Sequence, residues 1–182
     1  LVDPDDRVPI DTELRGDTVW YYGTPAGMKG DPALHSNDHT IYTATVKGDR
    51  LEAPKAVLSG EHLADPAPVE FGGGGLVFLT TLPGRSIGMA SGSPLKIHRT
   101  WEGVSVPHAM VVKEELWLWA HTVREGRHVP VRATSRDGES WTPFEAVLPT
   151  GDIDCANPVG AVWQSTPVVF CVSEPLGGGP PP

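Results

Sequence analysis

At four places in the chain, a proline is followed by an aromatic residue 12 positions later. The four pairs are Pro9 and Tyr21, Pro66 and Phe78, Pro107 and Trp119, and Pro158 and Phe170. Successive prolines lie 57, 41 and 51 residues apart, so the chain repeats a unit of roughly 40–50 residues. Such a repeat constrains the fold, because each unit is one supersecondary structure that stacks on its neighbours.

The apolar runs in these units have the composition of β-strands. Branched and aromatic residues predominate in "VWYY" (19–22), "IYTATV" (41–46), "LVFLTT" (76–81) and "LWLWAH" (116–121). The 21 glycines and 19 prolines divide the chain, and no window of 11 residues carries an apolar stripe of helical period. The sequence therefore predicts an all-β fold.

Four short strands in about 40–50 residues match one β-propeller blade. We predict a β-propeller of antiparallel strands with about four blades, within a range of about three to five. An ordinary β-sandwich with chance spacing is the alternative. We predict a single domain over residues 1–174 and a Gly- and Pro-rich tail, "PLGGGPPP", over residues 175–182.

The last repeat is short, because only 24 residues follow Pro158 and the tail takes the final eight. This leaves room for two strands instead of four. Exposed strand edges pair readily with other chains. We therefore expect the ring to be completed by the N-terminal segment, by a second chain such as another copy, or by another part of a longer protein.

The formal net charge of −9 disfavours a nucleic-acid partner, because phosphate recognition needs Lys and Arg. It disfavours an anionic membrane surface as well, and no run approaches the ~20 apolar residues that span a bilayer. A neutral or cationic small molecule, or a neutral polymer such as a carbohydrate, fits this charge better. The histidines have no metal-ligand spacing, so we expect no metal and no cofactor.

The chain has two cysteines, Cys155 and Cys171. An even count in a Pro- and Gly-rich chain is typical of one disulfide in an oxidising, extracellular compartment. Two buried free thiols are the alternative.

The stretch "TSRDGESW" (134–141) lies in a turn between apolar runs. Asp137 is placed to accept hydrogen bonds from its own turn, Gly138 to take a positive φ, and Trp141 to pack between blades. Ser135, Asp137, Gly138 and Trp141 resemble the Asp-box of sialidase-like and BNR-repeat propellers, in a form one residue shorter than usual. The resemblance implies a structural turn at the outer edge of the fold.

Different polar residues stand near the repeated prolines. Arg7, Asp65, His108 and Asn157 occupy nearly equivalent positions at the predicted starts of the innermost strands, and Asp3 lies just upstream of the first. Since these strands line the channel of a propeller, the set is expected to converge at one mouth. The alternative is that Asp and Asn before Pro simply form turns.

Two segments near the N-terminus resemble sialidases. "DRVPIDTELRGDTVW" (6–20) resembles their Arg-Ile-Pro strand, which implies that Arg7 binds a substrate carboxylate. "SNDHTIYTAT" (36–45) resembles the segment that carries their acid/base residue, which implies Asp38 in that role. The sialidase nucleophile is a tyrosine late in the chain, whereas the three tyrosines here are all early.

Asp-Pro at the start of an innermost strand resembles the five-bladed propellers of glycoside hydrolase family 43. That family uses such aspartates as base and pKa modulator, and a glutamate from a later blade as acid. The resemblance implies Asp65 or Asp3 in the aspartate positions and Glu174 as the glutamate.

These observations predict an extracellular, glycan-acting propeller that is a glycoside hydrolase. The catalytic pair is expected to be Asp65 and Glu174 at the channel mouth, with Asp3 or Asp38 in reserve. The residues expected to contact the substrate are Arg7, His108, Asn157 and Asp3. A non-catalytic, lectin-like carbohydrate-binding module is the alternative, and it would carry similar shallow pockets on each blade.

Overall fold

The computed structural model describes residues 8–24, 38–81, 85–147, 154–164 and 166–172. Within these ranges the chain forms 14 strands and no helix, as the sequence predicts. Accordingly, the described residues include no helix long and apolar enough to cross a membrane.

The strands form four antiparallel sheets, each built from strands consecutive in sequence. The first sheet contains β1 (Val8–Arg15), β2 (Thr18–Thr24), β3 (Asp38–Lys47) and β4 (Arg50–Glu61). The second contains β5 (Leu63–Phe71), β6 (Gly74–Thr81), β7 (Ser86–Ser91) and β8 (Lys96–Glu102). The third contains β9 (Ser105–Val112), β10 (Glu115–Arg124), β11 (Arg127–Ser135) and β12 (Glu145–Ala146), and the fourth contains β13 (Ala156–Trp163) and β14 (Thr166–Val172).

The sheets stack face against face. Phe78 and Met89 of the second sheet pack with Ala109 and Leu118 of the third in one buried cluster. A second cluster joins the first and second sheets, where Ile41 packs with residues of β5 and β6. The second sheet thus buries one face on the first sheet and the other on the third, which is the arrangement of propeller blades.

The first strand of every sheet carries a β-bulge at the same place. Asp11, Asp65, Val106 and Asn157 take left-handed φ angles of 46°, 49°, 54° and 49° there. In each case the pairing with the second strand shifts register at this point. A bulge bends its strand and redirects a side chain, so these four residues mark one end of the channel.

The bulges correct the sequence alignment of the first repeat. Pro66, Pro107 and Pro158 directly follow a bulge residue, whereas Thr12 holds that position in β1. Pro9 lies three residues earlier and pairs with Gly23, so its alignment with the other prolines was wrong. The cause is a shorter hairpin between β1 and β2, which pairs Glu13 with Trp20. The innermost strands nonetheless begin close to all four prolines, as predicted.

The "TSRDGESW" turn follows β11 and makes the local bonds expected of its residues. Asp137 Oδ1 accepts hydrogen bonds from the backbone N–H groups of Glu139 at 2.8 Å and Ser140 at 2.6 Å. These bonds hold the pKa of the Asp137 carboxyl well below its usual range. The Trp141 ring meets the Phe78 ring at 5.6 Å, edge to face, so the turn is fastened to the second sheet.

Cys155 and Cys171 form a disulfide, as predicted from their even count. The bond links the residue before β13 to the penultimate residue of β14 and closes a separation of 16 residues. It therefore fastens the two strands of the smallest sheet at one end.

Candidate active site

The structure brings some of the predicted site residues to the bulged ends of the innermost strands. Asp65 and Asn157 are themselves bulge residues, and His108 lies two positions after the bulge residue Val106. Asp38 is the first residue of β3, two strands away from the channel-lining β1, and its side chain lies outside the described part. Three other predicted residues, Asp3, Arg7 and Glu174, lie outside the described residues. The pairing of Asp65 with Glu174 therefore stays a prediction.

Asp65 lies between an exposed and a buried polar group. Its carboxyl group lies beside the side chains of Asp11 and Thr80. Asp11 is exposed and occupies the equivalent bulge in β1, the first strand of the neighbouring sheet, whereas Thr80 is buried. Desolvation, followed by the charge of Asp11, raises the pKa of Asp65 to about 7. Asp65 is thus a carboxylic acid that holds its proton close to neutral pH.

Sequence reasoning missed Asp11 and Thr80. The proline repeat points to Pro9 and conceals Asp11, although Asp11-Thr12 stands where Asp65-Pro66 stands in the second sheet. Thr80 sits in the apolar run "LVFLTT" and opposes Ala64 in the register of β5 and β6. Its value for the site depends on a contact between sheets, for which the sequence carries no direct signal.

An ion pair lies farther along the channel. Arg15 Nη2 contacts Glu13 Oε1 at 2.8 Å, and both residues belong to β1. The guanidinium of Arg15 also donates to the backbone oxygens of Pro68 at 3.0 Å and Ala109 at 3.1 Å. Arg15 thereby links the first strands of three sheets. Burial raises the pKa of Glu13, and the Arg15 charge opposes that rise.

His108 is a neutral donor in this channel. Burial, with a smaller effect from the charge of Arg15, lowers its pKa to about 4. The backbone N–H of Gly160 donates to His108 Nδ1 at 3.3 Å. Because Nδ1 accepts this bond, the neutral ring carries its hydrogen on Nε2, where it can donate to a ligand.

A second polar group lies at the junction of the third and fourth sheets. Ser105 Oγ and His121 Nε2 are 2.9 Å apart, and the His121 ring lies edge to face on His128 at 4.6 Å. Asp154 holds His128 through Nδ1 at 2.9 Å and the backbone N–H at 2.6 Å. Burial lowers the pKa of His121 to about 4, which keeps it neutral beside its neighbour. Among the described residues, no group of three or more side chains has the arrangement of a metal site.

No family model matches the chain, and no curated protein matches it either. Solved structures do match its fold. An exo-β-1,3-galactanase from Phanerochaete chrysosporium, solved with β-1,3-galactotriose, superposes with a TM-score of 0.63 at 9% identity, over 90% of this chain and 42% of that one. The xyloglucan PUL GH43B protein of Bacteroides ovatus gives 0.58 at 14% identity, over 94% and 39%. The α-L-arabinanase of Cellvibrio cellulosa gives 0.54 at 10% identity, over 90% and 67%.

The fold is thus a β-propeller of the kind found in glycoside hydrolases of family 43. The chain spans about two fifths of the length of the galactanase and of the Bacteroides protein. The three four-stranded sheets and one two-stranded sheet of the described residues correspond to part of a propeller.

Proposed function

We propose that this domain is an extracellular glycoside hydrolase whose active site lies at the bulged ends of the innermost strands. The observation that carries the proposal is the Asp65 carboxyl group, desolvated and placed beside Asp11, with a pKa raised to about 7. Glycoside hydrolysis needs one carboxylic acid that is still protonated when it meets the leaving-group oxygen. Asp65 has the protonation state that this role requires.

Asp11 is not the second catalytic carboxylate. Inverting enzymes separate their two carboxyl groups by roughly 6.5–9.5 Å and retaining enzymes by about 5–5.5 Å. The Asp65 and Asp11 carboxyl groups lie directly beside each other, which leaves no room for water or sugar between them. The charge of Asp11 instead favours the protonated form of Asp65, since like charges this close do not both ionise readily.

The second, ionised carboxylate is assigned to Glu174, with Asp38 in reserve. Its role is to activate water or to attack the sugar. Around the reacting centre, His108 Nε2–H donates to a sugar hydroxyl, and Asn157 and Asp3 make further polar contacts. Arg7 holds an anionic group of the substrate or the opposing carboxylate.

The lectin-like alternative is disfavoured by the bulge positions. A binding module with one pocket per blade would repeat similar residues, whereas the bulges hold two Asp residues, one Val and one Asn. Such a mixture favours one central site. The disulfide and the glycan hydrolases among the structural neighbours support an extracellular location. We assign the Ser135–Trp141 turn to the Asp-box type of sialidase-like propellers.

The activity test is hydrolysis of a panel of aryl glycosides and oligosaccharides. We expect Asp65→Asn to lower kcat by at least ~100-fold, because general acid catalysis contributes about that much. Asp49→Asn is the matched control, since Asp49 is an exposed residue in the turn between β3 and β4. Wild-type protein that binds a glycan but hydrolyses none of the panel would support the lectin-like alternative.

The raised pKa of Asp65 also predicts a pH dependence of stability. The folded protein binds this proton more tightly than the unfolded chain does, so stability falls as the pH rises from about 4 through about 7. Asp65→Asn carries no such penalty. We therefore expect the variant to match wild type in Tm at pH 4 and to exceed it at pH 8. Equal pH profiles for the two proteins would show that Asp65 ionises normally.

A further inference from the structure

A cleft opens between the first and second sheets at the end of the channel opposite the bulges. Its volume is 1290 Å³, which exceeds the roughly 300–1,000 Å³ of sites that hold one small molecule. Arg15 lines the cleft and lies four residues along β1 from the bulge residue Asp11, or about 13 Å of extended strand. The cleft is therefore separate from the candidate active site.

The cleft begins where the packing between the two sheets is interrupted. Val77 and Leu79 of β6 pack against the first sheet in a buried cluster, and Trp20 of β2 packs against the same cluster while staying partly exposed. Alternate residues of a strand share one face, so Gly75 continues the face of Val77 and Leu79. Because Gly75 has no side chain, this packing is not continued there, and both Gly75 and Trp20 line the open space.

The fold itself does not require glycine at position 75. Gly72 and Gly73 take positive φ angles of 60° and 77°, whereas Gly75 does not. A Cβ atom at Gly75 would meet no atom within 4 Å, and its pairing with Glu70 is regular. Glycine weakens a strand, and it often marks a place where a ligand approaches the backbone closely. Gly75 thus keeps open a space that neither backbone conformation nor packing demands.

The lining of the cleft combines an aromatic ring with hydrogen-bonding groups of both kinds. Trp20 supplies the ring. Arg15 makes its contacts with the chain through Nε and Nη2, and no bond within the described ranges engages its Nη1. Nη1 can therefore donate, and the exposed Glu70 carboxylate can accept. Hydroxyl groups line the cleft as well, those of Thr18, Ser91 and Ser93.

We propose that this cleft is a second carbohydrate-binding site, which holds a segment of a neutral oligosaccharide with one sugar ring on Trp20 and hydroxyl groups on Arg15 and Glu70. A sugar ring has an apolar face that an aromatic ring can cover, and its hydroxyl groups both donate and accept. Arg15 and Glu70 carry opposite charges, so the lining favours an uncharged ligand. The volume suits a chain of several rings.

The role of this second site rests on the proposed function, because it would hold a polymer whose other part reaches the active site. Binding itself does not depend on catalysis. Failure of either proposal can therefore be recognised separately.

Binding is tested by native gel electrophoresis in the presence of soluble xylan, arabinan, galactan or mannan, with polygalacturonate as the acidic comparison. We expect at least one neutral polysaccharide to retard the wild-type protein. Gly75→Leu puts a side chain into the cleft and should weaken that affinity about tenfold. The matched control is Thr100→Leu, which adds the same side chain at an exposed position of β8 outside the lining and should behave as wild type.

Three results would overturn the proposal. Gly75→Leu could be retarded as strongly as wild type, or polygalacturonate could be the only polymer that retards the protein, or none of the polymers could retard it. Self-association of the wild type that Gly75→Leu abolishes, measured by sedimentation, would also contradict it, because the occupant of the cleft would then be another copy of the chain.

Activity distinguishes the cleft from the active site. If the domain hydrolyses the polysaccharide that it binds, Gly75→Leu should raise the KM for that polymer about tenfold, and by more than it raises the KM for an aryl glycoside. Retardation that depends on Gly75, without any hydrolysis, would support the cleft and contradict the proposed hydrolase function. Hydrolysis with equal changes in both KM values would contradict the cleft alone.

If Gly75→Leu fails to fold, the wild-type protein still decides the question. An oligosaccharide prepared from the retarding polymer should shift the NMR resonance of the Trp20 indole N–H, because a sugar ring would lie on that side chain. A Trp20 resonance that stays in place while the oligosaccharide binds would show that the ligand lies elsewhere, and would overturn the proposal.

Discussion

Phe78 and Phe170 occupy the same position in two repeats, yet one is fully buried and the other is 62% exposed. Both lie in the second strand of their sheet and pair with the residue that follows the bulge and its proline, Ala67 or Val159. Phe78 is covered by the third sheet, whereas no described residue covers Phe170 to this extent. The repeat thus supplies an aromatic residue to every sheet, and the following sheet decides whether that residue is buried.

The opposite face of the repeat behaves in the same way. Ala109 and Gly160 follow the paired position in their sheets, and both are buried against the preceding sheet. Leu14 holds the equivalent position in β1 and is 58% exposed. The interface between neighbouring sheets is thus an aromatic residue of one sheet on a small or aliphatic residue of the next. The first sheet presents Leu14, the aliphatic residue of such an interface, on an exposed face. The fourth sheet presents Phe170, the aromatic residue, on another exposed face.

The largest effect is expected from truncating the buried aromatic residue. Phe78→Ala should lower the free energy of unfolding by about 3–5 kcal/mol, through lost burial and a cavity between the second and third sheets. Phe170→Ala is the matched variant in the fourth sheet and should cost less than ~1 kcal/mol. Urea denaturation of both variants measures the difference. Equal losses would mean that the Phe170 face is covered in solution.

The disulfide should give the next largest effect, because the outer face of the fourth sheet is exposed at Phe170 among the described residues. Replacing Cys155 and Cys171 together with serine removes a cross-link over a separation of 16 residues. A disulfide that closes a loop of about this length raises the free energy of unfolding by ~3 kcal/mol. Thermal unfolding of the double variant should show that loss, and wild type should show it only after reduction. A wild-type protein insensitive to reductant would indicate that the sheet is stabilised by other contacts.

The sequence predicts most of this architecture, because turns and β-propensity are local properties. The starts of β5, β9 and β13 follow from Pro66, Pro107 and Pro158, and the disulfide follows from an even cysteine count. The site is harder to predict from the sequence, because it depends on bulges and on contacts between sheets. The hairpin of β1 and β2 shortens the first repeat and conceals Asp11, and nothing local distinguishes Thr80 from its neighbours in an apolar strand.

Gly160 tests how closely the fourth sheet packs on the third. A Cβ atom at this position would lie 2.0 Å from Trp119 Nε1, so Gly160→Ala forces the indole ring or the strand to move. We expect a loss of about 1–3 kcal/mol, as for other overpacked sites. Gly75→Ala is the control, since a Cβ there meets no atom within 4 Å. A neutral Gly160→Ala would mean that the fourth sheet lies farther from Trp119 in solution.

The smallest effect concerns the turn that joins Trp141 to the second sheet. The Asp137 carboxylate is favoured in the folded state by its backbone hydrogen bonds, so its folded pKa lies below the unfolded value. Its contribution to stability is therefore complete above the unfolded pKa, near 3.9, and is lost as the pH falls through the lower folded value. Asp137→Asn should reduce Tm at pH 7, by less than the substitutions above, and the gap to wild type should narrow toward pH 2. A gap that stays constant over this range would show that the turn is held by Ser135 and Trp141 without the charge of Asp137. The charge of the turn would then not stabilise the contact between the second and third sheets. That contact would be stronger than the packing of the fourth sheet through apolar burial alone.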